Sequence, residues 1–223
     1  MLQAALRAFR DTFSPGMRKV FWKALGLTLA LFILIMVAVQ VALSLLVGFP
    51  WPWLETVVAV LAGLGLFAGM FFLMAPAMAL FAGLYLDDIA ELVERRDYPR
   101  DPAGREMPTT QAVLTGVRFG LFVLLVNLAL LPTLLLGIGA VVMVLANAYL
   151  LGREYFEMVA MRHMPPEEAR RLRKENSPRI LAAGFIPAFL VVIPLVNIIT
   201  PIFSTIYFVH IFKRICEDGA RAL

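Results

Sequence analysis

Six consecutive residues, Ser14-Pro15-Gly16-Met17-Arg18-Lys19, combine types and spacing that could do chemistry. Serine followed by proline is a helix start: Ser14 suits the N-cap and Pro15 the first helical position, where a missing N–H costs little. Gly16 leaves the amides of the first turn uncovered. Those N–H groups and the helix dipole favour an anion. Arg18 and Lys19 add two positive charges in the same turn or the next. A guanidinium fork can donate two hydrogen bonds at once to a tetrahedral oxyanion. The candidate anion-binding set is therefore Ser14, Gly16, Met17, Arg18 and Lys19, with Gly16 and Met17 offering their amides. The plainer reading is a routine helix cap followed by basic residues that fix membrane topology.

Other chemistry is hard to find. His163 and His210 stand apart from each other and from any cysteine pair, so no metal centre is expected. No phosphate-binding Gly-x-x-x-x-Gly-Lys-Ser/Thr loop, no Gly-x-Ser-x-Gly elbow and no zinc-protease motif occurs. The expectation is a protein that is not an enzyme and needs no cofactor. A single cysteine, Cys216, excludes an intrachain disulfide.

The elements that must position the six residues are apolar. Four stretches carry almost no charge: 24–48, 57–86, 119–151 and 180–212. Each exceeds the roughly 20 apolar residues that cross a bilayer core about 30 Å thick. The chain is 61% hydrophobic and 16% charged, with mean hydropathy +0.84, whereas a soluble domain carries about 25% charged residues. The polar stretches, 87–118 and 152–179, leave no room for a soluble catalytic domain. One polytopic membrane domain over 1–223 is expected. The net charge of +4 is modest, and most basic residues flank apolar runs. Membrane lipids, not nucleic acid, are the expected partners. The first apolar run is too long for a signal-peptide core of about 7–15 residues, so the N-terminus reads as retained.

All 20 Lys and Arg fall into four zones: before the first run, within 95–118, within 153–179 and within 213–221. The turn between the first two runs has none; it holds Glu55 beside Trp51 and Trp53, which suit an interfacial belt. The positive-inside rule then puts all four zones and both termini in the cytoplasm. The first two runs satisfy this as an out-and-back pair, but each of the last two must return to the side it entered. As one straight helix, either would be about 50 Å long; folded at its midpoint it gives two of about 22 Å that dip in without crossing. Break residues stand near those midpoints: Asn127, Pro132, Gly137 and Gly139, then Pro187, Pro194, Asn197 and Pro201. Proline removes a helix donor, and broken backbone at membrane depth must be buried in protein or line a wet cavity. Pro132 precedes Arg153, and Pro194 precedes Arg214, at nearly equal spacing, a weak sign of repetition.

The fold class expected is an all-α integral membrane protein with two long transmembrane helices, two re-entrant, hemi-penetrating helical hairpins, and short amphipathic or cytoplasmic helices. In segments, 1–13 is an amphipathic interfacial helix, 14–49 the first span, and 57–97 the second span with a cytoplasmic extension. The hairpins are 119–151 and 180–212, and 165–176 is a cytoplasmic helix whose acidic start and basic end suit the macrodipole. Gly65 and Gly69 form a Gly-x-x-x-Gly pair suited to close helix packing. Asn127, Pro132, Asn147, Pro194 and Asn197 are candidate lining for a path through the hairpins.

Three places carry a family resemblance. Ser14-Pro15-Gly16-Met17-Arg18-Lys19 is similar to a Pro-Gly-(Leu/Ile)-Arg-Arg motif. Ala75-Pro76 is followed by Leu84 and the acidic residues Asp87, Asp88, Glu91 and Glu94. Ile193-Pro194-Leu195-Val196-Asn197 is followed by Pro201 and an apolar stretch ending in Lys213-Arg214. On these residues the chain resembles the CysZ family of bacterial sulfate permeases, related to the eukaryotic etoposide-induced endoplasmic-reticulum proteins. The resemblance implies two long spans plus two hemi-penetrating hairpins, and a sulfate site on Gly16, Met17, Arg18 and Lys19. The function implied is passage of sulfate or a similar oxyanion across the bacterial inner membrane, feeding sulfur assimilation and cysteine biosynthesis. Half-crossing hairpins leave an incomplete pore in one subunit, so a homo-oligomer is expected. The chain departs from the pattern at Lys19, a point charge where the family has a second arginine fork, and lacks the proline usual after it. The alternative is a non-transporting membrane-shaping or scaffold protein, as the eukaryotic relatives suggest.

Overall fold

The computed structural model describes residues 1–46, 53–54, 56–66, 85–106, 114, 117–118, 121–122, 125–126, 128–130, 132–133, 137–197 and 199–221. All regular elements among them are helices. They are α1 (Leu2–Thr12), α2 (Pro15–Leu46), α3 (Thr56–Leu66), α4 (Leu86–Asp97), α5 (Gly139–Met161), α6 (Pro166–Glu175), α7 (Ser177–Val192), the single turn α8 (Pro194–Asn197) and α9 (Thr200–Arg221).

Helix α1 is two-faced. Ala4, Ala5 and Ala8 are buried against α9, while Leu2, Leu6, Phe9 and Phe13 stay exposed on the other side. At its end the Phe13 N–H bonds the Arg10 carbonyl, and Pro15 opens the next helix. Helix α2 runs 32 residues, about 48 Å. It is the one helix among the described residues long and apolar enough to cross a membrane, and only 17% of its most apolar window is buried by protein. Ile33, Leu34 and Val37 therefore face outward, as lipid-facing residues do.

Three excursions leave one end of the molecule and come back to it. The first departs along α2 and returns at Tyr85, whose ring lies 5.8 Å from the Lys23 ammonium. Midway, Gly63 on α3 sits beside Gln40 on α2. The second departs after Arg105 and is back at Arg162, where the Arg105 N–H bonds the Arg162 carbonyl at 2.7 Å. The third departs at Arg179 and is back at Asp218, which pairs with Arg179 at 2.7 Å. All four basic zones thus gather at one end.

The backbone turns of the second and third excursions differ in part from the sequence expectation. The second turns at Gly137, which takes φ 74° in the left-handed region that favours glycine. Pro132 lies in a helical stretch ahead of that turn and is exposed, and Asn127 lies outside the described residues. The third turns between Ile193, which is extended, and Ile199, with α8 in between. Pro187 is not a break: it sits buried inside α7, which tolerates the lost donor and continues for another turn.

Helix α9 is the core, buried throughout residues 200–213. Helix α5 runs parallel to it: Tyr155 stacks on Phe208 at 6.2 Å, and one step on Phe156 meets Phe212 at 6.1 Å. Helix α7 runs antiparallel to α5 and nearly touches it, with Gly152 beside Ile180 and Gly184 against the Ala148 carbonyl. This is the close helix approach among the described residues; a Cβ on Gly65 would meet none of them within 4 Å, and Gly69, the other half of the Gly-x-x-x-Gly pair, lies outside them.

Candidate anion-binding site

The turn between α1 and α2 can be followed amide by amide. The Ser14 N–H donates to the Asp11 carbonyl at 2.9 Å, and the Ser14 carbonyl accepts the Arg18 N–H at 2.9 Å, closing the first turn of α2. Pro15 has no N–H. Of the donors a helix start leaves open, the Gly16 and Met17 amides remain, and neither meets an acceptor among the described residues. The Ser14 hydroxyl makes no capping bond there either, so Ser14 holds the N-cap position through its backbone alone. The turn out of α1 has fixed its backbone, and the Gly16 and Met17 amides are left without an acceptor among the described residues.

Packing holds this turn in place. The Met17 side chain is buried, 3% exposed, and a Cβ on Gly16 would rest 3.6 Å from Leu92 on α4. Met17 thus contributes its amide to the candidate site and its side chain to the core. Arg18 and Lys19 are exposed, and neither has an ion-pair partner among the described residues. Other basic side chains of the same end are paired. Arg96 bridges Asp11 and Asp97, Arg173 meets Glu157 at 2.5 Å, and Lys213 meets Asp101 at 2.9 Å.

Two charge clusters tie α4 to its neighbours, one to α1 and one to the end of α5. In the first, Arg96 ties α1 to the end of α4 and holds the Asp97 carboxyl below its ordinary range, chiefly through its hydrogen bonds. Tyr98 and His210 Nδ1 lie 2.9 Å apart beside them. Burial, then the charge of Asp97, pushes the Tyr98 phenol up to about 12. In the second, Arg162, 5% exposed, bonds Asp87 and Glu94, and His163 Nε2 lies 2.8 Å from Glu94 Oε1. Burial alone would raise the Glu94 carboxyl, but the His163 hydrogen bond and the Arg162 charge outweigh it and hold it low.

Asp11, Asp97 and His210 offer ligand atoms within 4.8 Å of one another. Arg96 already supplies the positive charge between the two carboxylates, so this group reads as an ion-pair cluster and not as a cation site.

The five anion-site candidates are consecutive or nearly so and share one turn. The path candidates are spread along the excursions. Asn147 is buried on α5, Pro194 opens α8, and Asn197 closes it, its N–H bonded to the Ile193 carbonyl at 2.8 Å. Pro132 is exposed on its helical stretch, apart from that turn in the chain. Arg162 carries no local signal that distinguishes it from the other basic residues of its stretch; only the fold brings it to Asp87 and Glu94.

A comparison with curated proteins finds no match. The family described as sulfate transporter CysZ/etoposide-induced protein 2.4 matches residues 4–201. That span holds the amides of Gly16 and Met17 and the side chains of Arg18 and Lys19, which have no partner among the described residues, and the turns at Gly137 and 193–199. Over most of its length the chain belongs to the CysZ/etoposide-induced protein 2.4 family.

Proposed function

We propose that this protein is a permease for sulfate or a similar oxyanion in the bacterial inner membrane, not an enzyme, and that it feeds sulfur assimilation. The observation that carries the reading is the α1–α2 turn. Two amides and two cations without a partner among the described residues stand at the start of the one helix among them long and apolar enough to cross a membrane, in a chain of a family described by sulfate transport. Neutral amides of Gly16 and Met17 would hold two oxygens, and the Arg18 fork would hold another edge of the tetrahedron. Lys19 would add charge without fixed geometry.

In this reading the polar end and both termini face the cytoplasm, and 119–151 and 180–212 are hemi-penetrating hairpins. Helix α7 supports this with 16 residues, about 24 Å, short of a bilayer core of about 30 Å. Two or more subunits would then complete the conduit. The exposed stripe Leu2, Leu6, Phe9 and Phe13 favours a second reading, a membrane-shaping or scaffold protein that carries no anion.

Uptake of radiolabelled sulfate into liposomes containing the purified protein separates the two. The expected result is flux in the wild type and a loss of about tenfold in Arg18→Ala, the scale of one charge-assisted contact. Flux that survives Arg18→Ala unchanged discards the turn as the site. A folded protein with no flux favours the scaffold.

A further inference from the structure

Helix α1 and the start of α2 present a surface of two kinds only, apolar and positive. Over residues 1–23, Leu2, Leu6, Phe9, Phe13 and Trp22 are each more than half exposed. Every exposed charge in that stretch is a cation: Arg7, Arg10, Arg18, Lys19 and Lys23. Its one acid, Asp11, is 4% exposed and is taken by Arg96. Arg10 stands 3.7 Å from Asp11 and keeps 81% of its side chain exposed.

The rotation of each helix produces this pattern. At about 100° per residue, Leu2, Leu6, Phe9 and Phe13 fall on one side of α1, about 120° from the alanine face that packs on α9, and Arg10 stands about 70° beyond them. On α2, Val20, Ala24, Thr28 and Phe32 are buried on one side, while Lys19, Trp22, Leu29 and Ile33 stand exposed on the other. Down that exposed side come a cation, a tryptophan and then aliphatic residues. A membrane offers phosphates, interface and hydrocarbon in the same order. Only Phe13 and Ser14 join the two helices, so α1 is held near the level at which α2 leaves the polar end.

We infer that α1 and the start of α2 form a docking surface for an anionic phospholipid leaflet, with Leu2, Leu6, Phe9 and Phe13 among the acyl chains and Arg10 and Lys19 at the headgroup phosphates. The surface continues the apolar face that α2 turns outward, and its charge complements the headgroups. A zwitterionic leaflet would cover the stripe and leave the cations unanswered. An acidic soluble protein would answer the cations, but it would have to reach the stripe inside the headgroup layer. Lys19 adds only charge without fixed geometry to the oxyanion site and can serve a lipid phosphate as well. The inference stands apart from the permease reading, since a scaffold would use the same surface.

The test uses the full chain in vesicles of phosphatidylcholine and phosphatidylglycerol. Spin-labelled analogues of the two lipids report which one the protein keeps as a neighbour. A fluorophore on Phe9→Cys, in a Cys216→Ser background, reports where the stripe lies. The expected result is a preference of about fivefold for phosphatidylglycerol, the scale of one surface cation, falling to about twofold or less in Arg10→Gln/Lys19→Gln. The fluorophore should be quenched by lipid-borne nitroxide and not by aqueous iodide. An unchanged preference in the double variant overturns the docking of an anionic leaflet. A fluorophore open to iodide in the bilayer overturns it too and leaves the stripe to a protein partner. If the double variant does not fold, Arg10→Gln alone decides on the lipid preference. Neither readout involves sulfate, so this surface and the permease reading stand or fall separately.

Discussion

Glu154 lies on α5 one turn before Glu157, partly buried and with no ion pair among the described residues. Glu157 already engages Arg173. Burial, then the Glu157 charge, raises the Glu154 carboxyl from 4.5 to about 7 against the pull of Arg153. Between those values the folded protein keeps a proton that the unfolded chain has lost, so stability falls as pH rises from about 4.5 to about 7 and stays lower above that. Glu154→Gln removes the penalty. The variant should match the wild type near pH 4.5 and be more stable by about 2 kcal/mol at pH 8, allowing for solvent screening. Thermal unfolding in detergent across that range checks it, and a pH-independent difference would contradict it. Nothing in the sequence singles out Glu154. Its shift comes from neighbours supplied by folding, whereas the Ser14–Lys19 turn was legible because its cap, proline, glycine and charges are contiguous.

Among the elements, breaks were easier to read than contacts. Gly137 and the stretch from Ile193 mark turns because glycine and proline change the backbone wherever they occur. Pro187 looked equivalent and is not, since α7 is held by its packing against α5 and runs through it. The Gly65/Gly69 pattern suggests a close approach, but Gly69 lies outside the described residues; among those, the approach is made by Gly152 and Gly184, which are too far apart in sequence to form a motif. A Cβ on Gly184 would overlap the Ala148 carbonyl oxygen and crowd Gly152. Gly184→Ala should therefore force α5 and α7 apart at a cost of about 3 kcal/mol, seen as a lower melting temperature and a broadened size-exclusion peak. Gly26→Ala, whose added methyl meets none of the described residues within 4 Å, should leave the peak unchanged and not lower the melting temperature, since alanine favours the helix.

At the scale of the molecule, the four basic zones meet through ion pairs that no linear pattern contains. Arg96 reaches Asp11, Arg162 reaches Glu94, Lys213 reaches Asp101 and Arg179 reaches Asp218. The cap they form tethers every excursion to the same end. This predicts one-sided accessibility. In a Cys216→Ser background, a cysteine at Arg170 should react with a membrane-impermeant maleimide only from the cytoplasmic side, and one at Trp53 only from outside. Labelling of Arg170→Cys from outside in intact cells would undo the doubled-back hairpins and the conduit they support.

The sequence by itself determined how the chain relates to a bilayer. Apolar length and the sign of flanking charge are local properties that add along the backbone, and the expectation of an out-and-back path follows from them without knowledge of any contact. The tertiary structure alone decided which charges pair: Arg96 is taken by a residue 85 positions away, while Arg18 and Lys19 have no ion-pair partner among the described residues. It also decided which helices touch, with Gly184 against the Ala148 carbonyl. Both outcomes depend on how each helix is rotated against its neighbours, and that rotation is set by side-chain packing across the whole bundle.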